Sequence, residues 1–358
     1  MLKYASLAFF LSFSLCFIFV ISSKKIKTLI TDHLHIGPQT FHTQPTPRIG
    51  GIAIFLGVCI GLSLVFLMKE YFASNYHLLI LCSLPVFLAG LLEDLTGKFH
   101  PKIRMILLSI SAILAFFFLN TKIIRVDLPL ADTLLKISFI SLIFTIFALV
   151  GISNAINIID GFNGLASMVS MMILMGIAYV AYKLGDYEIT TLCVVTSFAL
   201  LGFFLLNYPF GLIFLGDGGA YFTGFIIGVA VILLVYKHLE VSAWFALTIN
   251  IYPVYETLFS IYRRRILRKK SAMSPDGLHF HTLIYQIFIK KFLGLYNPEI
   301  RNPLTSVFLW VINAFAIVPA LLFWNNTKFL ILCCIFFCIL YTYFYWKILN
   351  LKKFSILK

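Results

Sequence analysis

Eleven stretches of this chain stay apolar for long enough to cross a lipid bilayer, at about residues 1–22, 51–68, 77–93, 104–120, 136–153, 164–182, 190–207, 220–236, 241–263, 304–324 and 329–349. A hydrocarbon core of roughly 30 Å takes about 20 residues of helix to span. No water reaches backbone N–H and C=O groups there, so each run must close its own hydrogen bonds and fold as a helix. The expected fold is an all-α polytopic membrane protein of about eleven transmembrane helices, with residues 1–358 forming one integral membrane domain. A soluble domain is excluded, because charged residues are 12% of the chain where about 25% is usual. All seven cysteines fall inside apolar runs, with neither disulfide spacing nor a Cys-x-x-Cys pair, and read as small apolar residues.

Charge gives the orientation. Of the 28 Lys and Arg residues, 20 lie on the side reached after the first run and 8 on the other. The inside-positive bias makes the first side cytoplasmic, with the N-terminus outside and the C-terminus in the cytoplasm. Cytoplasmic loops are expected at about 23–50, 94–103, 154–163, 208–219 and 264–303. Because the basic residues sit between apolar runs, the net charge of +14 points to membrane lipids as the partner, not nucleic acid. The first run lacks a small-residue cleavage site and its stronger charge (Lys24, Lys25, Lys27) follows it, as in an uncleaved anchor.

Polar and glycine-rich clusters all fall on that cytoplasmic side. In Asn154-Ala-Ile-Asn157-Ile-Ile-Asp160-Gly161-Phe162-Asn163-Gly164 the amides and carboxylate recur every third residue, on one face of a helix that should end at the Asp-Gly and Asn-Gly turns. Glu93 and Asp94 close the third run, where the helix dipole disfavours anions, so Lys98, Lys102, Arg104 or a metal must offset them. As sequence neighbours they do not face one another. Asp217, in Leu215-Gly216-Asp217-Gly218-Gly219, precedes a helix whose first amides, with the flanking glycines, are expected to meet a phosphate; its carboxylate suits a hard cation. Gly224 and Gly228 read as helix packing. Thr46-Pro47-Arg48-Ile49-Gly50-Gly51 opens the second run, either as a plain helix start or as a ligand approach. Arg263, Arg264 and Arg265 end the ninth run, and His279-Phe280-His281 follows Ser274-Pro275-Asp276-Gly277. Zinc is disfavoured there, since no Cys or third His lies at ligand spacing. Only Glu256, three residues past Pro253, falls inside an apolar run; it either lines the site or pairs with a neighbour.

Taken together, from Thr46 to His281, these five motifs resemble in order those of the polyprenyl-phosphate N-acetylhexosamine-1-phosphate transferases, the glycosyltransferase family 4 type. The resemblance implies a bundle of ten or eleven spans in a bacterial inner (plasma) membrane, with a cytoplasmic-face active site. It implies a magnesium cofactor (or manganese) and two substrates, a UDP-N-acetylhexosamine and undecaprenyl phosphate. A sugar 1-phosphate would pass to the lipid and release UMP, opening synthesis of a cell-envelope polysaccharide such as O-antigen. By the same resemblance Asp217 and Asn157 hold the metal, and Glu93, Asp94 and Asp160 are catalytic. Thr46, Lys98, Asn154, Asn163, Gly218, Arg264, His279 and His281 meet the substrates. Two positions depart from the pattern: Glu93 stands where Asp is usual, and Thr282 replaces a third histidine. Two alternatives stay open, the muramoyl-pentapeptide branch of the family and, in a different class, a transporter or lipid flippase. A homodimer is compatible with the chain, whose residues select no oligomeric state.

Overall fold

A computed structural model describes residues 1–23, 46–68, 70, 75–267 and 278–354. The helices in chain order are α1 (Leu2–Ser23), α2 (Gly50–Leu67), α3 (Tyr76–Thr96), α4 (Pro101–Phe118), α5 (Pro129–Leu135), α6 (Ser138–Ile159), α7 (Leu165–Lys183), α8 (Tyr187–Asn207), α9 (Gly216–Lys237), α10 (Ala243–Ile249), α11 (Ile251–Tyr262), α12 (Phe280–Leu283), α13 (Pro298–Leu322) and α14 (Thr327–Phe354). Among the described residues, ten are long and apolar enough to cross a membrane. They match ten of the eleven apolar runs; the other, 241–263, is broken into α10 and α11 at Asn250. Pro253 explains the break, because its ring crowds the carbonyl four residues back and it offers no N–H. Asn250 covers part of the gap, its side-chain amide donating to the Ala246 carbonyl at 2.9 Å.

Helix α9 is the axis of the bundle. It is apolar all round, as a helix enclosed by others must be, and α2, α3, α6 and α7 surround it. Close approach depends on missing side chains. A Cβ on Gly51 would strike the backbone of Gly219, and one on Gly90 would strike that of Asp217 and Gly218, so α2 and α3 meet the start of α9 almost backbone to backbone. Gly224 and Gly228 face Ser153 and Leu149 of α6, which is the packing role read from their spacing. Deeper burial of α9 follows from these contacts, and with it the fixed depth of Asp217.

The turns between helices collect at two ends. At one end, residue 46 to the start of α2, the α3–α4 turn, the 160–164 turn and the 208–216 loop are laced together: the Gly50 and Phe214 amides donate to Phe214 and Pro47 carbonyls at 3.0 and 2.8 Å. At the other, Arg125 and Asp127 tie the loop before α5 to the loop after α9 and to the start of α14. The basic runs Lys24–Lys27 and Arg268–Lys270, and the Ser274–Gly277 stretch, lie outside the described residues.

Candidate active site

Asp217 stands in the first turn of α9, where its carboxylate is shared by three other elements. Its Oδ2 accepts from Arg104 of α4 at 2.7 Å, and its Oδ1 accepts from the Asn157 amide of α6 at 3.0 Å. Arg48 approaches Oδ1 to 3.7 Å from just before α2. The chain can reach this position because Gly216 holds φ +75, a left-handed conformation that strains any residue with a Cβ. Asp94, on the last turn of α3, accepts from the Asp217 and Gly218 amides, both at 2.9 Å. It thus caps the N-terminus of a helix that is not its own, which offsets its unfavourable place at the end of α3.

Among the described residues, carboxylates at this end outnumber the cations that meet them. Asp94, Asp217 and Glu93 face Arg48 and Arg104, and Asp160, the residue that ends α6, lies within electrostatic reach of Arg48 and Asp217. Four carboxylates therefore share two guanidiniums. Enclosure by protein pushes the Asp160 carboxyl up to about 7, with Arg48 opposing the rise and Asp217 adding to it. Such an excess of hard oxygen donors suits magnesium, which takes one or two carboxylates and leaves its other positions to water and phosphate. Asn157 can join that set by turning its amide over, since its assigned orientation follows from hydrogen bonding alone. In residue type Asp217, Asp160 and Asn157 suit such an ion, with Asn157 against Asp217 and Asp160 within electrostatic reach of it.

Two further features flank the cluster. His279 and His281 stack in parallel, 5.0 Å between centroids, and the Nε2 of His281 lies 3.3 Å from where a Gly161 Cβ would stand. On the other flank an apolar cavity of about 1050 Å³ runs along α4, α6, α9, α10 and α11. Met105, Asn154, Ile158 and Arg264 line one end of it, and Lys122 and Arg125 the other. Its first end includes Met105, the residue after Arg104, and Asn154, one helical turn before Asn157.

Residues 76–235 match the model of glycosyl transferase family 4. Over that stretch, a little under half of its length, the chain is similar to this family. Over 244 residues it is also 26% identical to a Bacillus subtilis (strain 168) protein named "Probable undecaprenyl-phosphate N-acetylglucosaminyl 1-phosphate transferase". That match covers 67% of this chain and 66% of the relative, just under two thirds of its length.

Around Asp217 the structure gathers Asn157, Asp94, Glu93 and Asp160, and it gives several other expected site residues different work. The Asp217 and Gly218 amides, expected to meet a phosphate, are taken by Asp94. Glu93 divides its carboxylate, Oε2 accepting from the Phe99 amide at 2.8 Å and so closing the α3–α4 turn while Oε1 lies 3.8 Å from Arg104. Asn163 is buried and structural: its side chain donates to Pro209 at 2.8 Å, and its backbone is held by Asn302 and Ser306 of α13. Thr46 is buried and reaches the Gly211 carbonyl at 3.4 Å. Lys98 is exposed, and Arg104 stands where it was expected to neutralise the carboxylates. Asn154 turns back to the Val150 carbonyl at 2.8 Å and lines the apolar cavity with Arg264. Arg48 is the residue the motif reading missed. Its signal was present, a lone cation two residues before a glycine pair at the start of a helix, but it read as easily as a helix start.

Proposed function

We propose that the protein transfers an N-acetylhexosamine 1-phosphate from a UDP-sugar to undecaprenyl phosphate on the cytoplasmic face of a bacterial inner membrane. UMP leaves, and the lipid-linked diphospho-sugar begins a cell-envelope polysaccharide. The observation that carries this reading is the charge cluster around Asp217 together with an apolar cavity lined by Met105 and Asn154, sequence neighbours of Arg104 and Asn157 on α4 and α6. One substrate of such an enzyme is polar and doubly phosphorylated, and the other is a long hydrocarbon with one phosphate. The named activity of the Bacillus subtilis relative is of this kind.

In the reaction an oxygen of the lipid phosphate attacks the phosphorus bonded to the sugar, and the bond from that phosphorus to the UMP oxygen breaks. A phosphate monoester with a second pKa near 6 is already mostly dianionic at neutral pH, so a base is not needed to create the nucleophile. Repulsion between two anions is the barrier the protein must lower, chiefly by positioning and charge. Arg104 and Arg48 supply fixed positive charge beside Asp217. Asp94 holds the start of α9 in place. Asp217, Asp160 and Asn157 would hold magnesium, which when bound would supply positive charge to the phosphates. The apolar cavity keeps the polyprenyl chain in register, with Asn154 and Arg264 at its phosphate end.

Purified protein supplied with undecaprenyl phosphate and UDP-N-acetyl sugars, one at a time, tests the reading. One sugar should release UMP in step with lipid-linked product. Absence of UMP release across the panel, UDP-muramoyl-pentapeptide included, refutes it. Release with the pentapeptide alone moves the protein to the other branch of the family.

A further inference from the structure

Glu256 is fully buried in α11 and takes no part in the cluster around Asp217. Its carboxylate is nonetheless heavily engaged. Oε1 accepts from the Phe280 amide at 3.0 Å and lies 3.3 Å from His279 Nδ1, while Oε2 accepts from the Tyr341 hydroxyl of α14 at 2.6 Å. His281 Nδ1 is 3.9 Å from the same Oε1, and Ser260, one turn further along α11, meets His279 Nδ1 at 3.0 Å. A buried carboxylate therefore grips both ends of the His279-Phe280 step and braces it against α14.

A carboxylate can only accept, so the His279 nitrogen facing it carries the proton, an assignment that follows from the hydrogen bonding. The two imidazoles lie within 4° of parallel, which makes the orientation of one depend on the other. His281 in turn packs edge-on against Phe162, 5.6 Å between centroids, and turns Nε2 toward Gly161. We infer that Glu256 is a positioning residue for the His279–His281 pair: it fixes their ring orientation and the site of the His279 proton, and so presents the pair to the polar head of the nucleotide-sugar at the Asp160–Gly161 turn. This rests on the transferase reading for the identity of the ligand, but the anchoring itself does not.

The same three side chains place ligand atoms within 4.8 Å of one another, which raises the question of a transition metal. The carboxylate is already engaged without an ion, Oε1 by the Phe280 amide and Oε2 by the Tyr341 hydroxyl, and the zinc readout below separates the two cases.

The test is Glu256→Gln, which preserves size and can still accept from the Phe280 amide. Two readouts are needed. Nitrogen-15 NMR of histidine-labelled protein, with the His279 signal assigned by its loss in His279→Gln, should show Nδ1 protonated in the wild type and the proton redistributed in Glu256→Gln. Steady-state kinetics should show KM for the UDP-sugar raised about tenfold or more, with kcat within about threefold and the melting temperature close to wild type. Glu256→Asp should recover part of the KM. An unprotonated Nδ1 in the wild type, unchanged signals and KM in Glu256→Gln, or stoichiometric zinc lost with Glu256 would each overturn the inference. If wild-type protein turns over no UDP-sugar, the transferase reading fails, and the NMR comparison still decides whether Glu256 anchors the pair.

Discussion

The two ends of the bundle use the same side chains to opposite effect. At the end away from the site, Asp127 accepts from Arg125 at 2.6 Å, the Ala243 amide at 2.7 Å, Ser242 at 2.9 Å and Thr327 at 3.0 Å. Arg125 also donates to the carbonyls of Val235, His238, Leu239 and Val241. Asp186 is held in the same way by the Ile189 amide, His238 and Lys237. Asp127 there has Arg125 and three further donors, and Asp186 shares Lys237 with Glu188 and adds His238 and the Ile189 amide. Around Asp217, among the described residues, four carboxylates share two guanidiniums. A balanced knot stabilises a fold; an unbalanced one, costly to keep near a bilayer, makes sense when a cation and a phosphorylated ligand complete it.

Mutations should separate these two roles. The largest effect is expected for Asp217→Ala, with transfer falling about 10³-fold or more, as when a group that binds the catalytic ion and phosphate is lost. Its thermal stability should hold or rise, because a repelling charge has gone. Asp127→Ala should do the reverse, costing about 2–4 kcal/mol of stability through stranded donors and an unpaired Arg125, while transfer per folded molecule stays near wild type. Melting curves and UMP release on the same preparations check both. Arg104→Ala should lower transfer about 10²-fold, with Arg104→Lys restoring only part of it because a point charge replaces a directed guanidinium.

Acidity distinguishes the ends as well. Burial raises the carboxyls of Asp127 and Asp186, but their amide, hydroxyl and cationic partners pull harder and leave both below the ordinary value of 3.8. These groups add stability above that value, and it is lost as pH falls through their lowered pKa values. Asp160 has the opposite sign: it keeps its proton to about 7 when folded, against 3.8 when unfolded. Between those limits the folded state binds more protons, so stability falls as pH rises. In chelator-treated protein, Asp160→Asn should flatten the melting temperature between pH 5 and 8 and leave the acid limb unchanged. A flat wild-type profile over that range would break the comparison. The smallest effect is expected for exposed Lys98, whose replacement by Ala should change transfer by less than about threefold.

The spans were legible because apolar run length alone decides them, and the motif order exposed Asp217, Asn157 and Asp160 as partners. Other features needed three dimensions. Asp94 capping α9 joins residues more than a hundred positions apart, and nothing local distinguishes it from Glu93, whose carboxylate divides between Phe99 and Arg104 instead. Asn163 shares the polar stretch with Asn157, yet one residue past the Phe162 turn it faces α13 instead of α9. The break at Asn250 was foreshadowed by Pro253, but a run of suitable length concealed it. Glu256 meeting the histidines depends on that break and on α14, neither of which is visible from the His-x-His spacing.

Binding of a divalent ion tests the central claim most directly. Manganese titrated into chelator-treated wild type, Asp127→Ala and Asp217→Ala, and followed by electron paramagnetic resonance, should reveal one tightly held ion in the first two and none in the third. Equal binding in all three proteins would contradict the claim that the uneven charge around Asp217 is built to receive a cation.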